Sequence, residues 1–287
     1  MSGSLARAGG SVVMGTGIVS VALSLAGHEL LSRALLVVAA CVLAAVALAL
    51  AALAVSDRVT LRECACLPGA LTWIAATDVV GSRFSVLGWE RAAAALLVVA
   101  FVLWLILVPY VLAHWRTPTM GVSFLLVVAT ESLAVLAARL GLGHEALAAV
   151  ALGLAFYVAV LARFDLRELT VGAGDHWIAG GALAIAALAC ARCAQRVDGL
   201  HTLTLAVWAA ALAWLPVLVA AELARPRLRF HELRWSTVFP LGMYSACSFA
   251  AGSVTHVGGL TAFARAWVWV AFAAWAVVSA WTVRQVA

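Results

Sequence analysis

Ten apolar stretches run along the chain, at about 10–27, 32–54, 68–87, 91–112, 119–138, 144–162, 175–193, 200–221, 236–254 and 262–282. Each is bounded by a charge, a proline, a glycine or a tryptophan. One bilayer crossing takes about 20 mostly apolar residues as a helix. Lipid offers no water to unpaired backbone groups, and barrel strands would alternate in polarity over segments about half this long, so the pattern predicts helices. Ten crossings use roughly 200 residues. The rest supplies two termini and nine short loops, which predicts one transmembrane domain over residues 1–287. The run from Val12 to Leu25 contains Gly-Thr-Gly and is followed by His28 and Glu29. It therefore reads as a retained first helix and not as a cleaved signal.

The odd stretches carry the unusual residues. The first holds Met14-Gly-Thr-Gly-Ile-Val-Ser20 and the third Ala76-Thr-Asp-Val-Val-Gly-Ser-Arg83. The fifth holds Ala129-Thr-Glu131 with Arg139 at its end, the seventh opens Gly174-Asp-His-Trp177, and the ninth holds Phe239-Pro-Leu-Gly-Met-Tyr-Ser245. The even stretches are mostly Ala, Leu and Val, with Pro109 and Pro216. An Ala-Thr-acid triplet recurs at Ala76–Asp78 and Ala129–Glu131, a spacing of about one helical hairpin. The pattern predicts an all-α integral membrane fold of five hairpins, odd helices inside and even helices against lipid. Small residues let inner helices approach closely or leave a lumen.

Composition sharpens this picture. Of 287 residues, 66% are hydrophobic and 11% charged. A soluble domain is about half apolar and a quarter charged, so a soluble enzyme, a disordered chain and a nucleic-acid-binding domain are excluded. The net charge is +5, and all 18 basic residues are arginine. With the N-terminus inside, eleven arginines (Arg7, Arg58, Arg62, Arg116, Arg163, Arg167, Arg225, Arg227, Arg229, Arg234, Arg284) fall on inner segments and seven on outer ones. This bias predicts both termini in the cytoplasm. The six cysteines fit neither a disulfide framework nor a metal site, and no cofactor is expected.

Asp78, Arg83 and Glu131 lie at membrane depth, as does Arg139 at a span end. A charge there costs at least ~2.5–3.5 kcal/mol, so each is expected to face the bundle interior and find a partner on a neighbouring helix, in a structural ion pair or in an ion or proton path. Asp175 is expected to cap the seventh helix. His176 is either an interfacial side chain or a pH-sensitive group. Pro240 should bend the ninth helix and turn Phe239 toward any lumen.

The motifs Met14-Gly-Thr-Gly-Ile-Val-Ser20 and Val238-Phe-Pro-Leu-Gly-Met-Tyr244 resemble the two recognisable stretches of the tellurite-resistance/dicarboxylate transporter family. That family includes the bacterial TehA proteins, yeast malate permeases and plant slow-type anion channels. Asp175-His-Trp177 and Gly81-Ser-Arg83 are similar to actinobacterial members. The resemblance implies five hairpins around a central pore, odd helices lining it, a phenylalanine of the ninth helix as gate, and a trimer in the plasma membrane. The gate carries over to Phe239 beside Pro240, with Phe249 as the nearest alternative. The implied activity is passage of small anions or oxyanions, or secondary transport of C4-dicarboxylates or tellurite-like oxyanions, with or without proton coupling. No ring of arginines stands out on the odd stretches, so anion selection would rest on Gly15, Thr16, Gly17, Ser20 and Thr77 and on backbone amides at bent helices. An intramembrane enzyme built on these carboxylates with His176 or His256 would need motifs such as HExxH that the sequence lacks.

Overall fold

The computed structural model describes residues 2–115, 119–171, 174–226 and 231–286. Arg116, Arg227 and Arg229, three of the arginines counted as inner, lie outside the described residues. Twelve helices follow one another: α1 (Ser2–Leu25), α2 (Glu29–Ser56), α3 (Arg58–Ala65), α4 (Thr72–Val86), α5 (Glu90–Ala113), α6 (Leu125–Arg139), α7 (Gly143–Leu161), α8 (Glu168–Val171), α9 (Trp177–Cys193), α10 (His201–Ala224), α11 (Trp235–Thr255) and α12 (Gly258–Val286). Among the described residues there is no strand beyond one isolated bridge, Thr119 to Phe164.

Seven of the described helical segments are long and apolar enough to cross a membrane, or eight when α3 and the bent Pro68–Val86 segment count as one span. The sequence pattern predicted ten. The shortfall has a physical reason. Helix α9 has only 17 residues, and α11 interrupts its apolar run with Ser236, Thr237, Ser245, Ser248 and Ser253. Helices buried among other helices need not be uniformly apolar, because their neighbours and not lipid set the requirement.

Burial divides the long helices into two sets. The most apolar windows of α1 and of Gly121–Arg139 are 72% and 94% buried, against 17–28% for α2, α5, α7, α10 and α12. The outer set exposes Leu30, Leu48, Val98, Ile106, Val158 and Val277. Apolar exposure on that scale suits lipid and not water. The inner helices α1, α4, α6, α9 and α11 touch in a closed cycle, each meeting the next and α11 returning to α1. Each also packs on the outer helix that follows it in sequence.

The five turns from inner to outer helix share one device. Gly27, Gly88, Gly141 and Gly199 hold φ between +80° and +92°, and His256 holds +58° at the fifth turn. At Gly27, Gly88, Gly141 and His256 the left-handed residue stands one or two residues past the helix end and closes its last turn, while Gly199 stands just before α10; glycine adopts this conformation without steric cost. Within the ring, Gly181 of α9 abuts Pro240, where an added Cβ would lie 2.8 Å from the ring carbon Cγ. Gly17 of α1 sits against Val79 of α4 in the same way, at 2.6 Å.

Candidate functional site

The inner helices enclose a central cavity of about 30 Å³, room for one or two water molecules. All five contribute to its wall: Ile18 and Val21 from α1, Asp78, Val79 and Ser82 from α4, Ser132, Val135 and Arg139 from α6, Ile185 and Leu188 from α9, and Phe239 and Met243 from α11. The wall is apolar apart from Asp78, Ser82, Ser132 and Arg139. Phe239, 2% exposed, lines the cavity from the second turn of α11, with Met243 one turn further on. Phe249 is not part of this wall.

Asp78 is the polar centre. Ser132 donates to its Oδ2 at 2.7 Å, while its Oδ1 is buried with no hydrogen-bond partner. A buried oxygen without a partner is costly, so this atom would gain from a hydrogen bond to water in the cavity. Glu131 was expected to be held like Asp78, one repeat earlier. The structure instead turns it outward against Gly153 of α7, fully buried, with neither carboxylate oxygen hydrogen-bonded. The two acids share a sequence motif but occupy different faces of their helices.

Arg83 does find partners on neighbours. Its guanidinium donates to Ser24 Oγ at 2.8 Å and to Glu29 Oε1 at 3.0 Å, while Glu29 also accepts from Arg33 at 2.9 Å. It therefore ties α4 to the turn between α1 and α2.

The small polar residues expected on the pore wall point elsewhere. Thr16 faces the outer helix α12 and accepts from Trp275 Nε1 at 3.0 Å. Ser20 and Ser32 exchange hydroxyl-to-carbonyl bonds of 2.7 Å between α1 and α2. Thr77 donates to the carbonyl of Trp73 in its own helix at 2.8 Å. Gly15 lies under the Trp235 ring, and Gly17 under Val79, so both serve close packing and not the cavity wall. Pro240 likewise packs on Gly181. A helix in a ring shows only a narrow stripe to the centre, and polar groups on its other faces pair with adjacent helices, as Thr16 and Ser20 do, or with their own backbone, as Thr77 does.

Asp175 does not cap its own helix. Its Oδ2 accepts from the backbone N–H of Val122 at 3.2 Å, at the 3₁₀ turn leading into α6. No ring of arginines forms on the inner helices, but three of their five ends carry one each. Arg83, Arg139 and Arg192 close the last turns of α4, α6 and α9, and Arg139 lies within electrostatic reach of both others. The signal was in the sequence as arginines one hairpin apart at successive span ends. Ser82 and Ser132, also missed, could not be told from other serines without knowing the stripe that faces the centre.

The profile of the voltage-dependent anion channel family matches residues 9–283. An uncharacterized membrane protein of Mycobacterium tuberculosis strain CDC 1551 / Oshkosh is 32% identical over 134 residues, covering 42% of this chain and 68% of that protein. An uncharacterized membrane protein of Mycobacterium tuberculosis strain H37Rv matches to the same extent.

Proposed function

Starting from a chain that belongs to the voltage-dependent anion channel family, a family of multi-pass membrane proteins, we propose that the central cavity is the narrow part of an anion pathway closed by Phe239. The observation that carries this reading is the shared wall: five inner helices converge on one small cavity, and a single aromatic ring lines it from α11. The ten long helices then cross the bilayer as five hairpins around the pathway, in one transmembrane domain. Both termini lie in the cytoplasm, on the side the arginine count favours. The resemblance adds assembly as a homotrimer in the plasma membrane.

A hydrophobic constriction of this size stops ions by excluding the water that would hydrate them. The wall beside Phe239 is formed by Ile18, Val21, Ile185, Leu188 and Met243, so a dehydrated anion gains little there. Conduction requires the ring to move or shrink. The polar cluster of Asp78, Ser82, Ser132 and Arg139 supplies hydrogen bonds once water enters. Weak, distributed contacts of this kind suit fast passage better than tight binding.

A second reading is a secondary carrier of C4-dicarboxylates or tellurite-like oxyanions. It is favoured by one observation, the unpartnered Oδ1 of Asp78 on the cavity wall, where a coupling proton could sit. Recording from protein reconstituted in planar bilayers separates the two. Unitary currents above carrier turnover, carried by chloride, nitrate or malate, support the channel. Flux that needs a proton gradient and gives no unitary events supports the carrier, and no anion flux from wild type or Phe239→Ala refutes both.

A further inference from the structure

Three arginines stand at neighbouring inner-helix ends with too few counter-charges. Arg83, Arg139 and Arg192 stand in the last turns of α4, α6 and α9, which are consecutive neighbours in the ring. Arg83 is paired with Glu29. Among the described residues, Arg139 and Arg192 have no carboxylate within ion-pair distance; Arg192 makes only a long 3.5 Å contact to Gln195. The Nε atoms of Arg139 and Arg192 are both buried and without a hydrogen-bond partner. Their positive charges act on each other as well.

Two largely buried guanidinium groups on neighbouring helix ends, within electrostatic reach of each other, are costly unless something negative joins them. The helix C-termini beneath them supply partial negative charge, worth roughly half a unit each and spread over several carbonyls. That does not use the donors: each guanidinium presents five N–H groups in a planar fork. Arg139 moreover lines the central cavity together with Ser82, so whatever binds there stands at the mouth of the cavity.

We propose that Arg139 and Arg192 form an oxyanion-binding site at the mouth made by the C-terminal ends of the inner helices. Planar forks pair with two oxygens of one anion, which a spherical halide cannot offer. Two uncompensated positive charges favour a doubly charged oxyanion over a singly charged one. The site therefore prefers sulfate-like dianions to nitrate, and nitrate to chloride, and it concentrates anions beside the cavity. Arg83, held by Glu29 and Ser24, adds field without giving up its own partners. The inference rests on the pore reading only for the route beyond the site; binding itself needs no conduction.

The test is binding to the full-length purified protein in detergent, read as the shift in melting temperature against anion concentration at constant ionic strength. Sulfate, nitrate and chloride are the probes. Wild type should show saturable stabilisation in that order. Arg139→Gln and Arg192→Gln should each weaken sulfate binding at least tenfold. Arg139→Lys keeps the charge but loses the fork, so it should retain chloride binding and lose the preference for sulfate. Arg265→Gln, on the exposed face of α12, should change nothing. Should one glutamine variant fail to fold, the other and the lysine variant still decide. Equal binding of the three anions by wild type, no saturable binding, or folded variants that bind like wild type overturns the site. Saturable binding in a protein that never conducts anions would leave the site standing and remove the pore reading. Conduction with binding indifferent to Arg139 and Arg192 would do the reverse.

Discussion

Replacing Phe239 by alanine separates a gate from a packed core aromatic, because the two roles predict opposite signs. The ring is 2% exposed and borders a cavity of about 30 Å³. Truncation opens a void on the order of 100 Å³, which left dry would cost roughly 2.4 kcal/mol at about 24 cal/mol per Å³. The transfer contribution brings the usual Phe→Ala loss to about 3–5 kcal/mol. Here the void joins a wall that carries Asp78, Ser82, Ser132 and Arg139, so water can enter and relieve part of that cost. Hydration also lowers the barrier to an anion. Removing even ~3 kcal/mol of desolvation penalty, the low end of the cost of a charge at mid-membrane, raises flux by roughly 100-fold. The assay is anion efflux from proteoliposomes with the membrane potential clamped, beside melting curves that establish folding. Phe249→Ala is the comparator, since Phe249 is buried on the same helix but lies off the cavity wall. A rise from Phe239→Ala alone is expected. A rise from Phe249→Ala alone would move the gate, and no rise from either folded variant would refute gating by α11.

Asp78→Asn keeps an oxygen for the Ser132 hydroxyl and removes the ionisable acid; channel flux should ignore an imposed proton gradient in both proteins, whereas gradient-driven uptake lost only in the variant would establish the carrier. Gly17→Leu places bulk against Val79 and should lower the melting temperature by an amount corresponding to about 1–3 kcal/mol or more, with partial recovery in the double variant with Val79→Ala; additive losses in a double-mutant cycle would show that the contact is not the cause. His256→Gly relieves a left-handed backbone at φ +58° and should stabilise by about 1 kcal/mol, read as a higher melting temperature; an unchanged or lower value would mean that the His256 side chain contributes more than the strain costs.

The helical, apolar character of the chain was legible because lipid imposes one requirement on every crossing, about 20 apolar residues with internal backbone bonding, and that requirement is local in sequence; seven or eight of the ten stretches meet it among the described residues. The family was legible from Met14–Ser20 and Val238–Tyr244, and the profile match over residues 9–283 places the chain there. Phe239 was singled out by its proline neighbour and the family resemblance, and it lines the cavity wall. Which face of each inner helix meets the centre was not legible. Around a ring, a rotation of about 100° per residue separates lumen from helix contact, and no local signal reports it. Thr16, Ser20 and Thr77 therefore looked like lumen groups, while tertiary packing gave the first two to Trp275 and Ser32, and Thr77 bonds the Trp73 carbonyl of its own helix. The same rotation sends Asp78 to the cavity and Glu131 to Gly153, although both follow Ala-Thr. The arginine cluster depends on three helix ends arriving side by side, a long-range property that exists only once the ring closes. Sequence alone determined that the chain is a multi-pass membrane protein built of helices. Packing decided which side chains face one another, because that follows from the mutual fit of helices distant in the chain.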